Sequence, residues 1–196
     1  EAVADEETET GEKVGSLLDA ARLYREELDD GAKALSAYEC ILQTEPANPD
    51  AYEALVGIYR SKHEWRKLLS LHESFMPYAN VTARSALLTS IRDIYDQELG
   101  EKELAFLAAG RVVRDNPVDT DALEILERLA DETGGHEEYV HVLRDEVEML
   151  PDPEFRLSLY WRMVHCYLTH LLDRTSAEVI LRRILDIDVR NMEAMD

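Results

Sequence analysis

A period of about 35 residues constrains this chain more than any other feature. The pattern Tyr-x3-Leu-x5-Ala occurs three times, as Tyr24/Leu28/Ala34, Tyr95/Leu99/Ala105 and Tyr167/Leu171/Ala177. The offsets are 71 and 72 residues, and Pro46 and Pro117 repeat at 71 as well. Related segments lie between them: Tyr52/Leu55/Tyr59 followed by Glu64-Trp65, and Leu123/Leu126/Ala130 followed by Glu138-Tyr139. Tyr24, Tyr59, Tyr95, Ala130 and Tyr167 are therefore spaced 35, 36, 35 and 37 apart. A fixed period of this size marks a solenoid, in which each repeat buries its apolar face against its neighbours.

Each unit reads as two helices. Leu17, Ala20, Ala21 and Tyr24 form one helical stripe. A second helix is expected over 32–44, with Ala34, Tyr38 and Ile41 on one face and Pro46 as its stop. The six prolines fall in four clusters, and β-branched alternating runs are absent, so strands are not supported. These units resemble the tetratricopeptide repeat, whose signature is a large residue, x2, Leu-Gly, x2, Tyr, then Ala-x3-Phe, then Pro. The first unit matches at Leu17, Ala20-Ala21, Tyr24, Ala34, Tyr38 and Pro46, and the third at Leu88, Ile91-Arg92, Tyr95, Ala105 and Pro117. The family glycine is missing throughout, and units one, three and five are one residue longer between Tyr and Ala. The resemblance implies an all-α, right-handed α-solenoid of about five helix-turn-helix repeats over 14–190. Residues 1–13 read as an acidic lead-in or the end of a preceding helix. Residues 191–196 resemble 48–53, so a sixth unit is expected to begin there.

The formal charge of −21, from 42 acidic and 21 basic residues, opposes nucleic-acid binding and docking on anionic membranes. No apolar run approaches the ~20 residues of a spanning helix. Cys40 and Cys166 give no metal or disulfide spacing and read as buried free thiols, pointing to a cytoplasmic setting. Arg outnumbers Lys by 16 to 5, as in GC-rich bacterial genomes.

Chemistry is hard to find. His136 and His141 stand five apart, about 500° around a helix, so they do not share a metal, and His165 with His170 repeats that spacing. Paired acids such as Glu26-Glu27, Asp29-Asp30 and Glu137-Glu138 read as solvated faces. Trp65, Tyr139 and the methionines, Met149 and Met163 among them, read as packing. No catalytic motif, metal site or cofactor site is expected, and the chain reads as a non-catalytic scaffold.

In the tetratricopeptide family, first helices line a concave groove where partners dock. Carried over, that groove holds Leu18, Arg22 and Arg25, then Glu53, Gly57 and Arg60. It continues with Thr89, Asp93 and Asp96, then Glu124, Arg128 and Asp131, then Trp161, His165 and Leu168. The expected partner is a protein or peptide of mixed charge with an apolar anchor; Trp161 itself reads either as packing against an adjacent or further unit or as a contact in the groove. An assembly or regulatory subunit, or the non-catalytic arm of a larger enzyme or secretion machine, is the alternative. The oligomeric state stays open.

Overall fold

The structure, a computed structural model, describes residues 2–26, 31–189 and 194, with side chains from residue 11 onward except at 25 and 26. Ten α-helices lie among the described residues, and no strand does. They run α1 (Ala2–Glu26), α2 (Gly31–Thr44), α3 (Pro49–Ser61), α4 (Trp65–Phe75) and α5 (Val81–Asp93). The second half holds α6 (Lys102–Asp115), α7 (Thr120–Thr133), α8 (His136–Val147), α9 (Pro153–Thr169) and α10 (Arg174–Ile187). They pair as five helical hairpins, as the period requires. The acidic stretch before Lys13 is continuous with α1 from Ala2, rather than a separate lead-in. Residues 191–193, 195 and 196, where a further repeat was expected to begin, lie outside the described residues.

Two compact units divide the chain within α5, Glu1–Leu87 and Leu88–Asp196. In the first, α1 packs on α2, α2 on α3 and α3 on α4. In the second, α6 packs on α7 and α8, α8 on α9, and α9 on α10. Helices α2 and α8 thus each cover their own hairpin partner and the first helix of the next hairpin. Every hairpin places a small or branched residue at one closest-approach position. Ala34, Leu68, Ala105, Val142 and Ala177 all fill it, and none is more than 1% exposed. Leu55, Ile91, Leu126 and Met163 are likewise buried at equivalent places in the first helices.

Local chemistry sets the ends. Asn48, Asn80, Asp119, Asp152 and Asp173 accept backbone N–H groups that a helix start leaves unpaired. Pro49 and Pro153 occupy first-turn positions, where a missing N–H does no harm. Helices α2 and α6 end two residues before Pro46 and Pro117.

The alternating repeat length is a difference in turn geometry. In the shorter hairpins, the N–H of Glu64 bonds the carbonyl of Tyr59, and that of Gly135 bonds Ala130. In the longer ones the donor is one residue further on: Glu101 bonds Tyr95, and Asp173 bonds Tyr167. The extra residue is absorbed by a π turn over Ile94–Glu98, and by a Leu171 N–H bond to Cys166. All four turns carry one residue at positive φ: His63, Gly100, Gly134 and Leu172. Glycine takes this conformation freely, whereas a Leu there is strained by about 1–2 kcal/mol. Leu172 is 77% exposed, so little packing would be lost with its side chain. Leu172→Gly is expected to stabilise the second unit by about 0.5–1 kcal/mol. A lower denaturation midpoint in the variant would contradict the turn assignment.

Candidate functional site

In the first unit, Leu18 and Arg22 of α1 line a cleft of about 310 Å³ with Tyr38 of α2 and Asp50, Glu53 and Ala54 of α3. Arg22 lies 3.6 Å from Asp50, and both side chains are more than half exposed. Such a pair is weak in water and open to exchange for a partner's charge. Arg60 is also exposed on α3. The side chain of Arg25 lies outside the described residues, as do Glu27, Asp29 and Asp30.

Behind α3, His72 is 2% exposed. Its Nδ1 lies 2.8 Å from the Tyr52 hydroxyl, and Tyr52 stacks on Phe75 at 4.0 Å. Burial, with the Arg60 cation adding to it, pulls the His72 imidazole down to about 4. Burial likewise pushes the Tyr52 hydroxyl up to about 12, against the opposing pull of Arg60. A neutral imidazole beside a protonated phenol is the stable pairing.

In the second unit, Asp96 does not offer a free acid. Its side chain is 9% exposed, and it receives Lys102 Nζ at 2.5 Å and Arg128 Nη2 at 2.6 Å. Glu132 closes the ring, 3.2 Å from Lys102 and 2.5 Å from Arg128. Burial pushes the Asp96 carboxyl up, but the hydrogen bonds from Lys102 and Arg128 outweigh it and hold it below the usual carboxylate range. Four alternating charges tie the π turn after α5 to α6 and α7. Asp96, expected to line the groove as an acid, is thereby neutralised. Asp93 is similarly engaged, taking Nε and Nη2 of Arg92 at 2.9 and 2.7 Å. Arg162 of α9 donates to Glu127 of α7.

The far end of this unit keeps its apolar character. Trp161 is half-buried, while His165 and Leu168 on the same face of α9 are exposed. Beside them Asp131 lies 3.8 Å from His136 Nδ1 and 3.7 Å from His170 Nε2. The His136 and His170 rings stack at 4.0 Å, with His165 edge-on to His170. His141 points elsewhere, 3.2 Å from Asp145. Tests of His136 against His141, and of His165 against His170, could not find this group. His136 and His170 meet because the start of α8 packs against the end of α9, a contact between hairpins that no sequence spacing signals.

Other expectations need correcting. Met163 is fully buried, but Met149 is 80% exposed at the end of α8. Tyr139 is core, whereas Trp65 is only half-buried, edge-on to His63 at 5.3 Å. Cys166 is buried and Cys40 half-buried, and both are free thiols.

The five equivalent helix-packing positions, at repeat spacing in paired antiparallel helices, decide the fold type. The fold is tetratricopeptide-like. No family model matches the sequence, and no curated protein does. Among solved structures, YrrB, described as a TPR protein with an unusual peptide-binding site, is similar at 19% identity, with a TM-score of 0.44. That match covers 100% of this chain and 96% of YrrB. The MamA protein is similar at 19% identity and a TM-score of 0.45, over 93% of this chain and 96% of its own. A tetratricopeptide repeat protein from Parabacteroides merdae is similar at 18% identity and a TM-score of 0.40, over 94% of this chain and 77% of its own. No helix among the described residues is long and apolar enough to cross a membrane.

Proposed function

We propose that the chain is a non-catalytic protein-interaction scaffold whose first helices hold a peptide or helix of another protein. One observation carries this reading. On the first helices of the second unit, Ile91, Leu126 and Met163 are buried, while the adjoining residues Glu124, Arg128, His165 and Leu168 stand in solvent. Such a face, polar with the Trp161–Leu168 stripe at one end, suits a partner of mixed charge with an apolar anchor. Aromatic side chains of this kind dominate the energy of docking surfaces. Free thiols at Cys40 and Cys166 support a reducing, cytoplasmic setting.

A second reading has an observation of its own. Leu107 on α6 and Val179 on α10 are 56% and 50% exposed, on second helices rather than first. Those residues favour an assembly subunit that packs through its second helices.

The test is selection of binders from a displayed random-peptide library, followed by Trp161→Ala in the same chain. Binding is expected to weaken by about tenfold or more with the melting temperature unchanged. If Trp161→Ala leaves affinity intact but lowers stability, Trp161 is packing. If no peptide is selected and Leu107→Ser dissolves an oligomer, the assembly reading stands instead.

A further inference from the structure

We propose that Asp131, His136 and His170 form a binding site for a divalent transition metal, Zn2+ by its donor set, that clips the α7–α8 turn to the end of α9. One ligand atom from each residue lies within 4.8 Å of the others. The contacts from Asp131 to the two imidazoles, at 3.8 and 3.7 Å, are too long for hydrogen bonds. They are close to the spacing that a tetrahedral ion imposes: with metal–ligand bonds of ~2.1 Å, neighbouring donors stand ~3.4 Å apart. Closing the difference takes a shift of a few tenths of an ångström and a turn of the two imidazoles, which stack at 4.0 Å with planes 22° apart, so that both in-plane lone pairs aim at one ion. Two imidazoles and a carboxylate are the donors that borderline ions such as Zn2+ select over Mg2+ or Ca2+.

The backbone holds the three residues in place before any ion arrives. Gly135, just before His136, packs so closely on Phe106 that a Cβ there would stand 2.9 Å from the ring. The same glycine bonds the Ala130 carbonyl, next to Asp131. His136 opens α8, and its carbonyl accepts the Cys166 thiol of α9 at 3.8 Å. His170 caps α9, its N–H on the Cys166 carbonyl at 3.0 Å. Asp131 and His170 therefore sit at helix C-terminal ends, whose partial negative charge favours a cation; the start of α8 opposes it at His136. A fourth position falls to water or to His165, whose ring centroid is 6.2 Å from that of His170. The site lies wholly within one unit and does not depend on the scaffold reading.

The experiment is titration of the metal-stripped, tag-free chain with Zn2+ alone, and with Co2+ as a spectroscopic stand-in. One ion per chain is expected, with Co2+ bands of low coordination number and a melting temperature that climbs with Zn2+. His170→Ala and the near-isosteric Asp131→Asn should each weaken Zn2+ by about tenfold or more. His141→Ala, on the neighbouring helix, should not. Circular dichroism checks that each variant is folded. No saturable binding to the folded wild type, or binding that His170→Ala and Asp131→Asn leave unchanged, overturns the proposal.

Discussion

Truncating Leu126 to Ala will destabilise the second unit by about 3–5 kcal/mol, the upper range for a core leucine. Leu126 is 0% exposed in α7, which packs on both α6 and α8. Its surroundings, Leu129, Val142 and Leu143 among the fully buried residues of those helices, are held by backbone hydrogen bonds on two sides and cannot easily collapse into the space. In a chain of this size the loss would lower the melting temperature by about 10 °C. Leu107→Ala is the contrast: Leu107 is 56% exposed on α6, and its removal should cost under about 1 kcal/mol. Denaturant unfolding followed by circular dichroism compares the two. Equal losses would mean that the repeat position does not mark the core.

The same comparison shows why the fold was legible and much of the site was not. Leu126 was found by counting, because a position buried in one hairpin is buried in its equivalents. Helix ends were also local matters: Asn48, Asp119 and Pro117 act on residues two or three away. Contacts between hairpins depend on how far one is offset against the next, which a linear pattern does not encode. Asp96 therefore looked like a groove acid, and only its meeting with Lys102 and with Arg128, 32 residues on, shows it as one of four charges in an internal ring. His136 and His170 escaped for the same reason. Trp65 and Met149 failed differently. Trp65 was assigned to packing by its match to Tyr139 at repeat spacing and Met149 by residue type, yet Trp65 is only half-buried and Met149 exposed.

The first unit carries the second large effect, an acid sensitivity seated at His72. Its imidazole has a pKa of about 4 in the folded chain and about 6.5 when unfolded. Between those values the unfolded chain binds a proton that the fold refuses, so stability is full above pH 6.5 and drains away as pH falls towards 4. Two and a half units correspond to roughly 3 kcal/mol at most, less whatever the site relaxes. The cause is geometric. His72 is buried in α4, its Nδ1 is committed to Tyr52, and Arg60 faces it with a positive charge that Glu73 only partly offsets. Protonation would place a second cation beside Arg60 and leave Nδ1 able only to donate in its bond with the Tyr52 hydroxyl. The shifted carboxyls, Asp96 and Glu132 held low and Glu146 pushed up by burial, all lie in the second unit, so in the first unit the window from 6.5 to 4 is assigned to the histidine. Trp161→Phe leaves Trp65 as the sole tryptophan and makes its fluorescence a report on the first unit. In that background, urea midpoints at pH 7 and pH 4.5 should differ strongly. Adding His72→Asn, which keeps an acceptor for Tyr52 but cannot titrate, should flatten the difference. A pH dependence that survives the Asn substitution would assign the sensitivity to some other group and leave the Tyr52–His72 pair as packing alone.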